Sequence, residues 1–506
     1  MELYNKLYDW QKRIVDKLKD KKSYGLFLEM GLGKTPLSLA LCEANHCTKL
    51  LIVSINAKAM EDEFVKGSFP WWIRQSDMKD FKILNKYSKT SEIGLGKQCL
   101  IVNYESLFKR SGKTCRIDLK DNLKKFIESC HGETVGLIID ESHKLKAYQS
   151  RQTQSVIKLQ KLLSLNALVH TYLLTGTPFT TGYLDLWTQL KVLGCKMTKG
   201  AFIDNFCVKG NLPGLLGYQQ PIVGYKNLSQ LFAILHEYAI TIKSEEVANL
   251  PEAIFMTHDY PQSVKFNLFC KEKINEKVLK KDGENHLVNN PYYRNIAYPE
   301  LKWIADTTGT FWLRARQLSI GFQGNSQESK WFDSTRLDML KNFLELNPDN
   351  YVLFYSFTSE LLELYDICDA LGYNIDCYSG EIKSLTFYEK YANMTDAKRL
   401  TNKKNIILAN WQSGSTGVNW QEYDKCIIFD LPVYRDYTQG LARIRRLGQK
   451  SKTTIYHIFV QNNWLDRSMM EALKEKKDYT EKTFASDIIR VQNILEKEDL
   501  KNGMDK

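Results

Sequence analysis

The feature that most constrains the fold is a glycine-bearing loop placed between an apolar run and a helical run. Residues 24–28 are apolar and short enough to form one buried strand, and residues 37–41 are typical of a helix. The loop between them, residues 28–35, reads Leu-Glu-Met-Gly-Leu-Gly-Lys-Thr. A strand followed by a glycine loop that ends in Gly-Lys-Thr, and then by a helix, is the context of a phosphate-binding loop.

Each part of this loop has a physical reason to bind a phosphate. Glycines allow successive backbone N–H groups to converge on an anion, and the start of the following helix adds partial positive charge. Lys34 is predicted to reach the β- and γ-phosphates of ATP, and Thr35 to coordinate Mg²⁺. Leu28 occupies the place where the first glycine of the usual pattern is expected, and a glycine-rich turn that merely precedes a helix is the alternative. The predicted nucleotide contacts in this loop are Gly31, Leu32, Gly33, Lys34 and Thr35.

Length and composition indicate a large protein with substantial hydrophobic cores. Among the 506 residues 43% are hydrophobic and 12% aromatic, which is enough for two large domains or several smaller ones. No stretch approaches the roughly 18 uninterrupted apolar residues of a membrane span. The first residues also lack the basic-then-apolar layout of a signal peptide. We therefore expect a protein that is soluble, not secreted and without a membrane partner.

Charge and cysteine usage narrow the class of protein further. The net charge is +11, so binding to a polyanion such as nucleic acid is a reasonable expectation, although dispersed surface lysines explain the charge equally well. The eleven cysteines include no Cys-x-x-Cys pair. Cys42 and Cys47 flank His46, but no second pair of ligands stands nearby. These patterns predict free thiols in a reducing compartment rather than disulfides or zinc.

Apolar runs that alternate with helical runs predict a parallel sheet with both faces covered. Such sheets bind ligands at the carboxyl ends of their strands. The run at residues 135–139 ends in Asp140 and Glu141. We expect Asp140 to hold Mg²⁺, and Glu141 to orient and deprotonate the water that attacks the γ-phosphate. An acidic helix cap is the alternative for these two residues.

Two further segments are candidates for the nucleotide site. Residues 7–18 have helical spacing, and Gln11 lies near their start, just upstream of the phosphate loop. Its amide can donate a hydrogen bond to the adenine edge and accept one from it at the same time, although an ordinary surface glutamine is the alternative. Residues 172–178 indicate a strand that ends in small hydroxyl residues, Thr175 and Thr177, which are candidates for sensing the state of hydrolysis.

These segments together resemble the motifs of a known family. Residues 31–35, 140–146 and 174–178 resemble motifs I, II and III of superfamily 2 helicases, and more narrowly those of the Swi/Snf-type DNA translocases. In that family motif II reads Asp-Glu-Ala-His, whereas this chain has Ser142 in place of the alanine.

The resemblance continues through the second half of the chain. Residues 351–358 resemble motif IV, 414–419 resemble motif V, and 439–449 resemble motif VI. In motif V, Gln412 and Ser415 stand where the family usually has Arg and Gly.

The resemblance also implies roles for individual residues. Arg443 and Arg446, three residues apart and so expected on one helical face, match the arginines that contact the γ-phosphate. A solvated basic helix is the alternative for this pair. Gly417 and Gln439 match nucleotide-binding positions. The positions implied for coupling or DNA contact are Ser54, Thr175, Thr177, Phe357, Thr358 and Ser415.

The resemblance implies an α/β fold class: two RecA-like parallel-sheet lobes with helical insertions between motifs III and IV. The expected divisions are a first lobe at 1–250 with a helical protrusion at about 180–240, an insertion and linker at 251–330, a second lobe at 331–475 and a helical tail at 476–506. ATP and Mg²⁺ are the implied cofactors, bound in the cleft between the lobes. Because one chain carries both lobes, a monomer is expected.

The leading functional prediction is an ATP-hydrolysing translocase on double-stranded DNA, without sequence specificity, that remodels protein–DNA or branched DNA structures. A helicase that separates DNA or RNA strands is the alternative. An ATP-gated nucleic-acid clamp is a further alternative from another class, although it would not need a complete hydrolytic set. No histone-reading module is recognisable. We therefore expect a bacterial, phage or other viral enzyme in the cytoplasm of a bacterial or infected cell, or in the nucleus if eukaryotic.

Overall fold

The fold is described from a computed structural model. The described residues are 1–55, 69–109, 118–179, 182–210, 222–247, 253–259, 308–324, 329–379, 404–414, 420–446, 449–459, 464–475, 478–480, 483–484 and 487. The chain divides into two compact units, one formed by Met1–Leu250, Thr416–Asn419 and Arg445–Gly448 and the other by Pro251–Ser415, Trp420–Ile444 and Gln449–Lys506.

The first unit is organised around a parallel sheet of seven strands among the described residues, in the spatial order β3-β4-β2-β5-β6-β1-β9. The strands are β1 (Ser23–Leu28), β2 (Lys49–Ser54), β3 (Lys82–Leu84), β4 (Gln98–Asn103), β5 (Thr134–Ile139), β6 (Leu168–Leu174) and β9 (Ala239–Ile242). A separate antiparallel pair joins β7 (Cys207–Lys209) to β8 (Ile222–Tyr225).

Helices cover both faces of this sheet. They are α1 (Glu2–Asn5), α2 (Asp9–Leu18), α3 (Lys34–Ala44), α4 (Phe69–Arg74), α5 (Asp121–Glu128), α6 (Arg151–Asn166), α7 (Asp185–Val192), α8 (Lys199–Phe206), α9 (Leu228–Tyr238) and α10 (Ser244–Val247). Successive side chains of a strand point to opposite faces. Leu51 and Val53 therefore pack in one core cluster and Leu50 and Ile52 in the other. Because both faces are buried, the strands read as continuous apolar runs.

The second unit contains another parallel sheet, in the order β10-β17-β16-β13-β15-β14. Its strands are β10 (Ala253–Asp259), β13 (Tyr351–Tyr355), β14 (Asn374–Tyr378), β15 (Asn405–Asn410), β16 (Lys425–Ile428) and β17 (Thr453–Phe459), and β11 (Phe322–Gly324) pairs antiparallel with β12 (Ser329–Trp331). Its helices are α11 (Thr308–Ile320), α12 (Thr335–Leu346), α13 (Thr358–Ala370), α14 (Trp411–Gly414), α15 (Tyr434–Ile444) and α16 (Trp464–Lys474). The predicted α/β fold class with two parallel-sheet lobes is confirmed.

The structure differs from the sequence analysis in two segments that lie between motifs III and IV in the sequence. Residues 253–259, grouped there with the insertion and linker, form the edge strand β10, which pairs with β17 of the second sheet. The first helix of the expected protrusion, α7, is buried along most of its length against the first sheet's core. Most of the helical tail expected at residues 476–506 lies outside the described residues.

No helix within the described residues has the length and apolar content needed to cross a membrane.

A buried ion pair joins two helices of the second unit. Arg336 on α12 donates from Nη2 to Asp466 Oδ2 on α16 at 2.8 Å and from Nη1 to the Phe429 carbonyl at 3.0 Å. The side chains of Arg336 and Asp466 are only 2% and 7% exposed. Removing one member of such a pair leaves a buried charge without its counterion, which costs far more than breaking an exposed pair.

We predict that Asp466→Ala lowers the free energy of unfolding by about 3–5 kcal/mol, because the Arg336 guanidinium stays buried after losing the carboxylate with which it is paired. Urea-induced unfolding followed by circular dichroism measures this change. The matched control is Asp80→Ala, which breaks an ion pair with Lys97 whose side chains are more than half exposed. It should change stability little. Equal effects of the two substitutions would contradict the assignment.

Candidate active site

The phosphate loop begins where β1 ends, and its glycines have the backbone conformation that the loop requires. Gly31 has a φ of 80° and Gly33 a φ of 73°, both in the left-handed region. Residues with a Cβ avoid that region for steric reasons. Gly33 is the residue before α3, so the turn directs the N-terminus of that helix into the loop.

The Lys34 side chain lies along the loop that it follows. Its Nζ donates to the Leu28 carbonyl at 3.0 Å and is 3.4 Å from the Glu29 carbonyl. Leu28 is the last residue of β1, and its side chain is fully buried in the core. The leucine in the place of the expected glycine is therefore a strand residue, and it contributes only its carbonyl to the loop.

Gln11 on α2 contacts the phosphate loop through its side-chain amide. Its side chain is 2% exposed. The Oε1 atom accepts from the Tyr8 N–H at 3.1 Å, and Nε2 donates to the Leu32 carbonyl at 2.9 Å. The protein thus occupies one acceptor and one donor position of the amide that was predicted to contact adenine. That contact stays a prediction.

The strand β5 delivers Asp140 to a set of hydrogen bonds from neighbouring strands. Its backbone N–H donates to the Val53 carbonyl at 2.8 Å. Ser54 Oγ donates to Asp140 Oδ2 at 3.0 Å, and the Tyr104 hydroxyl donates to the Asp140 carbonyl at 2.7 Å. Desolvation and the Glu141 carboxylate raise the pKa of Asp140 to about 7, against the opposing effects of Ser54 and Lys34. A cation bound there would favour the charged carboxylate.

Glu141 has a left-handed backbone with φ of 50° and ψ of 50°, and it precedes a 3₁₀ turn at Ser142–Lys146. For a residue with a Cβ this conformation costs about 1–3 kcal/mol, so the surroundings must enforce it. His143 Nδ1 lies 3.1 Å from Glu141 Oε2 and 3.4 Å from Thr175 Oγ1. Thr175 Oγ1 also accepts from the Thr177 N–H at 3.1 Å. These contacts connect the acidic turn with the segment after β6.

The three turns lie together because β5, β6 and β1 are adjacent and parallel. The Gly176 backbone, after β6, approaches the phosphate loop so closely that a Cβ there would lie 2.9 Å from Met30 Cγ. Sequence positions separated by more than one hundred residues are thereby brought to one edge of the first sheet.

The side-chain oxygens at this edge of the sheet are suited to bind a hard divalent cation that a nucleotide also binds. Within the described residues no group of three or more His, Cys, Asp and Glu side chains forms a metal cluster. Mg²⁺ in nucleotide sites typically takes one or two protein oxygens, with water and phosphate oxygens completing the octahedron. Thr35 and Asp140 offer oxygens of that kind.

The predicted residues in the second half of the chain lie on separate elements. Phe357 precedes α13, which begins at Thr358, and Gln439 is buried on α15. Arg443 occupies the last turn of α15, whereas Arg446 lies beyond the helix end at Ile444. The two arginines therefore do not share a helical face, contrary to the expectation from their spacing. Gly417 and Ser415 lie outside the described residues.

Helix α15 ends at Ile444, and the last carbonyls of this helix accept hydrogen bonds from groups outside it. The Trp420 N–H donates to the Arg443 carbonyl at 2.9 Å. Gln449 Nε2 donates to the Ile444 carbonyl at 3.2 Å. A helical continuation would need these carbonyls for its own next turn.

The sequence analysis did not single out Tyr104, Gln189 or Arg316. Tyr104 follows a strand end, which is a usable signal in a parallel sheet. Arg316 donates to Ser356 Oγ at 2.8 Å and to Asp430 Oδ2 at 2.7 Å, and its guanidinium lies 5.1 Å from the Phe357 ring centroid. Nothing local in the sequence predicts the partners of Arg316 or Gln189, because they are distant in the chain.

Comparison with known proteins finds a protein-family model that matches this chain. The SNF2-related domain matches residues 11–286, which is more than half of the chain. Among solved structures, the chain is similar to the Sulfolobus solfataricus SWI2/SNF2 ATPase core in complex with double-stranded DNA. The identity is 16%, the match covers 92% of this chain and 90% of that one, and the TM-score is 0.38. No curated protein matches the chain.

We predict that Gly33→Ala weakens nucleotide binding at least about tenfold, because left-handed backbone costs an alanine about 1–2 kcal/mol and the new Cβ would lie 2.7 Å from Gln11 Nε2. Titration with a fluorescent ATP analogue measures the affinity. The matched control is Gly96→Ala, where φ is 66° but nothing lies within 4 Å of the added Cβ. It should lose a little stability and keep nucleotide affinity. Loss of affinity in both variants would contradict a specific role for the Gly33 turn.

Proposed function

This chain belongs to the SNF2-related family of superfamily 2 and is an ATP-hydrolysing enzyme, and on that premise we propose that it is a motor that moves along double-stranded DNA. The proposed work is the remodelling of protein–DNA or branched DNA structures. The observation that carries the proposal is the edge of the first sheet, where the phosphate loop, the acidic turn and the segment after β6 meet. The net charge of +11 suits a polyanionic track.

In this proposal each residue at that edge has a separate task. Lys34 leaves the Leu28 carbonyl to contact the β- and γ-phosphates, while Thr35 and Asp140 hold Mg²⁺. Glu141 orients the attacking water and accepts its proton. His143 holds Glu141 on one side and Thr175 on the other, so it is suited to report the state of the nucleotide to the segment after β6.

Two arginines are the remaining groups in the proposal. Arg443 and Arg446 stabilise charge on the γ-phosphate, since a guanidinium binds phosphate oxygens through two parallel N–H groups. Arg316 holds Ser356 and stacks near Phe357, which keeps the proposed DNA-coupling segment in one conformation. Movement along DNA then follows from cycles of nucleotide binding and release, and phosphate contacts make it independent of sequence.

We predict that Lys34→Ala and Glu141→Gln each abolish ATP turnover, with Glu141→Gln retaining ATP binding because the amide keeps the shape of the side chain but accepts no proton. Phosphate release measures turnover, and binding of a fluorescent ATP analogue measures affinity. Lys97→Ala is the control, since Lys97 is an exposed lysine paired with Asp80. Turnover at the wild-type rate in either active-site variant would refute these assignments.

The type of nucleic acid along which the motor is proposed to move is tested by steady-state ATP hydrolysis. The rate is measured without nucleic acid and with single-stranded DNA, double-stranded DNA or RNA. We predict the strongest stimulation by double-stranded DNA. We also predict an affinity for DNA that falls steeply with added salt, because phosphate contacts release counterions. Preference for single strands or RNA would indicate a strand-separating helicase instead. A flat response to salt would contradict tracking along the DNA backbone.

A further inference from the structure

A buried hydrogen-bond bridge connects the acidic turn to α7 and to the segment after β6. Ser142 Oγ, in the residue after Glu141, donates to Gln189 Oε1 at 2.9 Å. Gln189 Nε2 donates to the Pro178 carbonyl and lies 3.4 Å from the Asp185 carbonyl. Both the Ser142 and the Gln189 side chains have no solvent exposure. One side chain on α7 therefore holds two segments that lie at the nucleotide edge of the sheet.

The same helix makes a second contact with the acidic turn. Thr188, next to Gln189, donates from Oγ1 to the Lys146 carbonyl at 3.2 Å, at the far end of the 3₁₀ turn. Adjacent residues of α7 thus hold the first and the last residue of that turn.

Glu141 needs such support because its left-handed backbone is strained. A strained residue keeps its conformation only where the surroundings over-determine it. The Tyr104 hydroxyl holds the carbonyl of Asp140, the residue before Glu141, and His143 within the turn contacts the Glu141 carboxylate. The bridge through Ser142 holds it from the α7 side.

The serine hydroxyl and the glutamine amide are matched to each other. A buried hydroxyl without a hydrogen-bond partner destabilises a protein. Ser142, which stands where related motifs have alanine, therefore requires an acceptor, and Gln189 supplies it. The amide has a second hydrogen-bonding end, and this end reaches Pro178, at the close of the Thr175–Pro178 segment. The contact of His143 with Thr175 connects the same two segments as this bridge.

We propose that Gln189 is a positioning residue of the ATPase site, which acts through Ser142 to fix the Glu141 carboxylate and to couple the acidic turn with the segment that ends at Pro178. The inference rests on the proposed role of Glu141 in activating water. Gln189 does not touch the nucleotide in this account, so its loss should affect the rate of the chemical step more than the binding of ATP.

The experiment is a double-mutant cycle with Ser142→Ala, Gln189→Leu and the combined variant, each measured for kcat and KM of ATP hydrolysis and for thermal stability. We expect each single substitution to lower kcat about tenfold, since small displacements of a catalytic group have large kinetic effects. KM for ATP should stay within about twofold. The combined variant should be no slower than the slower single variant, because either change already breaks the bridge.

The combined variant keeps the test valid if a single variant folds poorly. Replacing both Ser142 and Gln189 leaves neither buried side chain without its partner, so the combined variant should be more stable than Gln189→Leu alone, and only the Pro178 carbonyl loses its donor. The matched control is Gln160→Leu. Gln160 on α6 also spans two segments, donating to Thr171 Oγ1 and to the Val192 carbonyl at 3.1 Å each, and neither hydrogen bond involves the acidic turn. It should change stability and leave kcat unaltered.

Two results would overturn the inference. Wild-type kcat in the folded combined variant would show that the bridge does not position Glu141. Losses of kcat that follow stability in the same way as those of Gln160→Leu would show a structural role only. Glu141→Gln is measured in parallel. If it remains active, the proposed role of Glu141 fails. If it is inactive while all three bridge variants turn over normally, the inference about Gln189 alone fails.

Discussion

The parallel pairing of β5, β6 and β1 is the constraint on which the candidate site depends. In a parallel sheet all carboxyl ends lie at one edge, so the turn after each strand meets the turns after its neighbours. Asp140, Thr175 and the phosphate loop follow these three strands, so the pairing of the strands brings the three turns together. The hydrophobic cores on both faces stabilise that order, since each strand contributes alternate side chains to the two clusters.

Strained turns and buried polar contacts go together at this edge. The phosphate loop uses glycine for its left-handed residues, and so avoids steric cost. The acidic turn has no such option, because the proposed role of Glu141 requires its carboxylate. Its conformation is instead enforced by hydrogen bonds from Tyr104, through Ser142 to Gln189, and by the contact with His143. Several of these partners are themselves buried, which limits the alternatives available to the turn.

Local sequence patterns were enough to predict much of the fold and the family. The apolar run at 135–139 predicted the strand Thr134–Ile139, and the Gly-Lys-Thr loop predicted the start of a helix, which the structure shows at Lys34. Longer-range features were not predictable. The strand Ala253–Asp259 pairs with Thr453–Phe459, and a short apolar run does not reveal a partner so distant in the chain. The spacing of Arg443 and Arg446 suggested one helix, but the Trp420 N–H and the Gln449 amide take the last carbonyls and end it.

The sequence by itself determined which chemical groups are present and at which strand ends they stand. Periodicity and turn residues act over a few neighbouring positions, so they specify strands, loops and helix starts directly. The tertiary structure decided which of those ends are adjacent and how each side chain is held. Gln11 contacts the Leu32 carbonyl, and Gln189 reaches Ser142, only because helices far apart in sequence pack against the same sheet. Hydrogen bonds of that kind depend on distance and angle in space, and sequence spacing does not encode either.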